Sequence, residues 1–301
     1  MPEHEAPVDA VIAALRANPL DFEGSIPELR SEFERLGASP DPDASIEDVI
    51  GGIPVRRFPA RQTAADGRRN PGSGVVLFLH SGGYVAGTAL GSSGLAMALA
   101  AATGREVISV DYRLAPEAPY PAARDDTLCA YSALLEDKDP GEIALVGASA
   151  GGGVVIHALM EMRERGLPIP GAAAVISPFV DLTLSGDSYE RNADRDPSLT
   201  RRGLEAAASH YAASGRAVDP AAWSLQGFPP IQIHVGSIEI LLSDSVNLAA
   251  RLASDDVHVE LEVWPGMVHV FPTFSAKLVE GTEALERIGV HLDRWLLDAS
   301  A

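Results

Sequence analysis

One cysteine, Cys129, leaves no partner for an intramolecular disulfide and no thiolate set for zinc. Its segment, Asp125–Glu136, has a helical pattern, so the expectation is a small buried side chain. Basic residues are few: 23 Lys and Arg stand against 42 Asp and Glu, for a formal charge of −19. Such a surface repels phosphate backbones and anionic lipid, which argues against nucleic-acid and membrane-surface partners. Long hydrophobic runs are missing as well. The most apolar stretch, Gly94–Ala102, falls far short of the roughly 20 residues that span a bilayer. The opening residues, Met1 to Glu5, have neither a basic n-region nor an apolar h-region, so no signal peptide is expected and the cytoplasm is the simplest location. Internal repeats and low-complexity tracts are absent too. What remains is 301 residues, 46% hydrophobic and 22% charged, enough for one large or two ordinary globular domains with a sizeable core.

From about residue 75, short apolar runs alternate with helical patterns. Strands are expected at Val75–Leu79, Glu106–Val110, Ile143–Val146, Ala172–Ser177, Ile231–Val235 and Val257–Val263. Helices are expected at Ser92–Thr103, Pro121–Glu136, Gly152–Arg165, Ser243–Ser254 and Thr282–Leu297. Apolar runs of about four to six residues suit strands buried on both faces, and the alternation implies an α/β, doubly wound, mostly parallel sheet flanked by helices. Two segments break the pattern. Residues 1–45 carry helical spacing at Val11, Ile12 and Leu15, then at Ile26, Leu29, Phe33 and Leu36; residues 179–228 hold a helical candidate at Arg201–Tyr211. Pro40–Asp43 is a plausible hinge before a first strand near Val49–Phe58.

Residues 143–153 read IALVGASAGGG. An apolar strand runs into G-x-S-x-G and then at once into a helix, the context in which a serine is thrust above a sheet edge on a sharp turn. Gly147 and Gly151 supply the small flanks that turn needs, and Ser149 is the candidate nucleophile. No lysine follows the glycines, which excludes a P-loop. After the strand Val75–Leu79 comes His80-Ser81-Gly82-Gly83-Tyr84. Glycines allow close backbone approach to a substrate, so the N–H groups of Gly82, Gly83 and Ala150 are candidate oxyanion donors. A serine nucleophile needs a histidine base and a carboxylate to hold its tautomer. Of eight histidines, His269 is the best placed: it follows a strand in a loop at the carboxyl end of the sheet, where open α/β sheets carry their ligands. Glu239, just past the strand Ile231–Val235, is the candidate carboxylate. Asp244 competes, with helix capping as its other explanation. The order serine, acid, histidine is that of α/β-hydrolases.

These motifs together resemble the bacterial hormone-sensitive lipase-like (family IV) carboxylesterases of the α/β-hydrolase superfamily, over about residues 75–271. Asp111–Ala123, DYRLAPEAPYPAA, matches the family's D-Y-R-L-A-P-E-x-P-F-P-A-A block almost letter for letter; Gly147–Gly152 matches G-x-S-A-G-G; and Gly266–Phe271 is similar to its histidine loop. The sequence departs from the family at Ser81, within an H-G-G-G motif, at Ala148, often aspartate, and at Glu239, usually the aspartate of a D-P-L loop. The extra methylene of Glu239 changes its reach and keeps Asp244 in play.

The resemblance implies an α/β-hydrolase core at 46–178 and 229–301 with a helical cap from 1–45 and 179–228. It implies a buried network of Asp111, Arg113 and Glu117 under the oxyanion loop, with His80 ordering that loop. Tyr84, Phe179, Tyr189 and Tyr211, with Phe22, Phe33 and Trp223, are candidate substrate contacts, with cap packing as the competing role. The function implied is a serine esterase acting on small-molecule esters of short to medium acyl chains, without cofactor or metal. Lactone hydrolysis and N-deacetylation or amide hydrolysis on the same triad are the alternatives. A non-catalytic receptor, a form that has lost the histidine, is disfavoured by His269. A homodimer through an edge strand or the closing helix is one assembly that the resemblance allows.

Overall fold

The computed structural model describes residues 7–37, 45–60, 74–212 and 224–297. The hinge expected at Pro40–Asp43 and the side chain of Trp223 lie outside the described residues. Helices α1 (Pro7–Ala17) and α2 (Ile26–Gly37) lead into strands β1 (Ile46–Ile50) and β2 (Ile53–Phe58). Then follow β3 (Val75–Leu79), α3 (Ser93–Thr103), β4 (Glu106–Val110), α4 (Ala122–Leu134), β5 (Ile143–Ala148), α5 (Ala150–Arg165) and β6 (Ala172–Ile176). Helices α6 (Ser188–Arg191) and α7 (Arg201–Tyr211) interrupt the alternation before β7 (Ile231–Gly236), α8 (Leu242–Ser254), β8 (Val259–Trp264) and α9 (Val279–Trp295).

The eight strands form one sheet in the order β1-β2-β4-β3-β5-β6-β7-β8. Pairings from β4 through β8 are parallel, while β1 with β2 and β2 with β4 are antiparallel. This is the helix-flanked, mostly parallel sheet that the alternation implies. The expected first strand is instead a hairpin turned by Gly51 and Gly52, both at positive φ (60° and 80°), a conformation suited to tight two-residue turns. Its outer strand was hidden in the sequence because an edge strand need not be apolar on both faces; Ile46 and Val49 are exposed.

The central strands bury both faces, and their side chains alternate between two cores. Val75, Leu77 and Leu79 of β3 join a cluster with α4, α5 and α8, whereas Val76 and Phe78 join one with α3 and α9. Ile143 and Leu145 of β5 face the first cluster, Ala144, Val146 and Ala148 the second. Truncating one such side chain, Leu77→Ala for example, would cost about 2–5 kcal/mol. A third cluster packs Val11 of α1 with Met267, Val268 and Phe271, so α1 sits against the loop that carries His269. Cys129 is exposed rather than buried, because it projects from the outer side of α4.

Candidate active site

Three strand ends meet at one place. At the end of β5 the chain reverses into α5 through Ser149, whose φ is +53°. A non-glycine residue is strained there, and such strain persists where the surroundings enforce it. The reversal brings Gly151 so close to β3 that a Cβ on it would lie 2.0 Å from the carbonyl oxygen of Leu79. Any side chain at 151 would therefore push the turn off the sheet. The free N–H groups of the first turn of α5 and its positive dipole end lie at this turn.

After β8, His269 approaches the serine. Its Nε2 lies 3.0 Å from Ser149 Oγ, and its Nδ1 lies 2.8 Å from Glu239 Oε2. A carboxylate oxygen accepts, so the proton on the ring belongs at Nδ1, leaving Nε2 free to take the Ser149 hydroxyl proton. Glu239 follows β7 and is fully buried. Its Oε1 accepts from Ser177 Oγ at 2.7 Å and from the Gly236 N–H. Burial pushes the Glu239 carboxyl above its usual range, while the bonds from His269 and Ser177 pull it back. Ser177 also accepts the N–H of Val270 at 3.1 Å, so one hydroxyl ties the acid to the residue beside His269. Four non-glycine residues with positive φ lie around this arrangement: Tyr84, Ser149, Ser177 and Val270.

Asp244 is buried on α8 and is taken up elsewhere. It accepts the N–H groups of Val180 and Asp181, both at 2.9 Å, and the Tyr189 hydroxyl at 2.7 Å. Burial raises its carboxyl to about 7. Among the described residues Glu239, not Asp244, reaches His269.

The loop after β3 passes the same serine. Gly82 has φ +130°, and a Cβ on it would meet the Ala86 carbonyl oxygen at 2.0 Å. Among the described residues no carbonyl or side chain takes the N–H of Gly82 or Gly83. Ala150, first residue of α5, has no intrahelical acceptor for its own N–H. His80 is fully buried, stacks on Tyr112 with ring centroids 4.1 Å apart, and bonds through Nδ1 to the Ser81 carbonyl at 2.8 Å. Burial pushes its imidazole down to about 4, which keeps it neutral. The expected buried network is only partly present. Asp111 accepts the Ala89 N–H at 2.6 Å, but Arg113 turns outward to Asp126 and Glu117 lies exposed against Arg30 of α2. Arg30 in turn donates to the carbonyls of Val85 and Ala115, at 2.8 and 3.0 Å, and so holds the loop from the N-terminal side.

Ser149 and His269 open into a cleft of about 530 Å³. Gly82, Gly83, Val11, Leu15, Leu199 and Leu204 line it. Lys277 stands at its exposed edge. Phe22 and Phe33 line it as expected, but Tyr84, Phe179, Tyr189 and Tyr211 do not. All four are buried. The Tyr84 hydroxyl donates to the Phe179 carbonyl, its ring stacks on Tyr211 at 3.9 Å, and Tyr189 is spent on Asp244. A dry seat suits all four rings, and the three tyrosine hydroxyls keep polar partners there. Sequence reasoning missed Ser177, whose one signal was its position at the end of a parallel strand, and the cleft-lining Ser198, Leu199 and Leu204. Among the described residues no group of three His, Cys, Asp or Glu side chains is placed to hold a metal, and no helix is long and apolar enough to cross a membrane.

The arrangement can deprotonate a serine hydroxyl and hold a developing oxyanion, and the comparisons with known proteins agree in kind. A family model described as the α/β hydrolase fold matches residues 76–273. An acetyl-hydrolase of Streptomyces hygroscopicus is 38% identical over 239 residues, 78% of this chain and 77% of that protein. An esterase of Acinetobacter venetianus is 33% identical over 71% of this chain and 73% of its own. The crystal structure of an esterase from the bacterial hormone-sensitive lipase family superposes with a TM-score of 0.87 and 36% identity, over 96% of this chain and 98% of that one.

Proposed function

The chain belongs to the α/β-hydrolase-fold family, among the esterases of the bacterial hormone-sensitive lipase type, and from that premise we propose a serine carboxylesterase for short- to medium-chain acyl esters. Ester hydrolysis follows from the relatives; the residues that perform it and the chain-length range are this proposal. The observation that carries it is the unbroken line from Glu239 through His269 to Ser149, ending in an apolar cleft.

In the proposed reaction His269 Nε2 takes the Ser149 proton as Oγ attacks the ester carbonyl. The carbonyl oxygen becomes an oxyanion, held by the N–H groups of Gly82, Gly83 and Ala150. Each donor is worth on the order of 3 kcal/mol in the transition state. The His269 imidazolium, stabilised by Glu239, gives its proton to the departing alcohol. Water, deprotonated by the same imidazole, attacks the acyl-serine and restores the enzyme as the acid leaves. Residues 7–37 and 179–212 act as a cap. Val11 and Leu15 from the first segment and Leu199 and Leu204 from the second support that reading, since they line the same cleft as the serine. A cleft of this volume suits a compact acyl group better than a triglyceride, and the relative named an acetyl-hydrolase points to the short end. Cytoplasmic residence is part of the proposal; a lone exposed thiol at Cys129 suits a reducing compartment.

The test is hydrolysis of p-nitrophenyl esters over a series of acyl lengths, with Ser149→Ala alongside. The expected result is turnover highest at short chains and a kcat about 10⁴-fold lower or less in the variant. Turnover that survives in Ser149→Ala would sink the assignment.

A further inference from the structure

Asn192 and Asp196, on the segment between α6 and α7, grip the loop that carries Glu239. Asn192 is fully buried, and its Nδ2 donates to the carbonyls of Ser237 at 3.2 Å and Glu239 at 2.7 Å. Asp196 is 9% exposed. Its Oδ2 accepts the N–H of Ile240, the residue after Glu239, at 2.9 Å. Its Oδ1 accepts the N–H groups of Ser198 at 2.8 Å and Leu199 at 3.1 Å. Burial pushes the Asp196 carboxyl above its usual range, while the charge of His269 and the three N–H groups donated to it pull it back toward the ionised form. Ser198 and Leu199 line the cleft, and Asp196 does not.

We propose that Asp196 is a positioning residue for hydrolysis: its carboxylate joins the cleft wall at Ser198–Leu199 to the Glu239 loop, and its charge supports the His269 imidazolium. The proposal rests on the Ser149–His269–Glu239 reading. Asp196 interacts electrostatically with both His269 and Glu239. Among the described residues, Glu239 from the loop after β7 bonds His269, Asp196 from the α6–α7 segment interacts with it electrostatically, and Lys277 lines the same cleft. The same Asp196 side chain makes the wall and the acid move together, so an acyl group seated on Leu199 also sets the position of Glu239.

The experiment compares the unmutated protein with Asp196→Asn and Asn192→Ala. It measures kcat and KM on a p-nitrophenyl ester from about pH 5 to about pH 9, with circular dichroism and melting on each protein. Folded Asp196→Asn is expected to lose about tenfold in kcat with KM within about twofold, and the acid limb of its kcat/KM profile moves to lower pH by about half a unit or more. Asn192→Ala removes two bonds to the loop but no charge; its kcat falls and its acid limb stays. A merely structural role for Asp196 would lower melting and leave the limb in place. Folded Asp196→Asn with the parental limb and kcat within about twofold overturns the proposal. Should Asp196→Asn not fold, Asn192→Ala and Asp196→Glu decide, and parental kcat in both overturns it equally. If the unmutated protein shows no Ser149-dependent turnover, the hydrolase reading falls and takes this proposal with it. That result differs visibly from an active parent with unaffected variants.

Discussion

Glu239 and Asp244 are both buried acids near the start of α8, and their hydrogen bonds give them different work. Glu239 spends Oε2 on His269, so Glu239→Gln should present the ring with an amide, hold the wrong tautomer and lower kcat by about 10²–10⁴-fold. Asp244 is occupied by Val180, Asp181 and Tyr189, so Asp244→Asn should lower melting while folded enzyme keeps its kcat within about threefold. Steady-state kinetics beside thermal melts separate the two, and a larger kcat loss in Asp244→Asn would reverse the assignment. His80 offers a pH test. Folding lowers its imidazole to about 4, whereas the unfolded chain titrates near 6.5. Between those values the unfolded state binds a proton that the native state refuses. The contribution is therefore complete above about pH 6.5 and drains away as pH falls toward about 4. The stability gap between the parent and His80→Asn should thus narrow by about 1–2 kcal/mol from about pH 7.5 to about pH 5, read from urea unfolding. A constant gap would mean that His80 is not held neutral. At this scale Ser149 and His269 were legible because each follows a strand at a motif with fixed spacing. Ser177, Asn192 and Asp196 carry no such mark; only the tertiary fold brings them to Glu239 and its loop.

Among the elements, β3, β5 and β6 were readable because these strands, buried on both faces, carry no charged or large polar side chain, and β4 and β7 kept enough apolar positions around buried Ser109, Gln232 and His234. The β1–β2 hairpin was not, since its edge strand faces water. The aromatic residues misled for a related reason: ring chemistry is the same whether a ring faces a cleft or a core, and Tyr84 faces the core because its hydroxyl found the Phe179 carbonyl. Helix α2 makes a connection that no motif announced. Through Arg30 it holds Val85 and Ala115, next to the oxyanion loop, with a side chain only 31% exposed. Arg30→Ala should cost about 1.5–3 kcal/mol of stability and lower kcat/KM, because two carbonyls lose a charged donor and the loop loosens. Glu117→Ala, which deletes a carboxylate 64% exposed, should cost no more than about 1 kcal/mol. Melting and kinetics on the two variants check the ranking; equal losses would show that the exposed ion pair, not the carbonyl bonds, secures α2.

For the molecule as a whole, the charge of −19 sets a field that every substrate must cross. A neutral ester is indifferent to it. An anionic ester should show kcat/KM rising about two- to tenfold as ionic strength goes from about 10 to about 300 mM, since screening removes the repulsion. Stopped assays with a matched neutral and carboxylate-bearing ester pair test this, and parallel salt curves would rule it out. Lys277 softens the field at the cleft, so Lys277→Glu should steepen the response to salt. The positive charge of this protein is almost wholly guanidinium: Lys138 and Lys277 are the two lysines in the chain. Reagents that couple to side-chain amines therefore have two addresses, and one of them borders the cleft. On an amine-reactive bead, molecules tethered through Lys277 would lie with their entrance against the support. Lys277→Arg would leave Lys138, on the turn after α4, as the lysine handle and turn the entrance toward the solution.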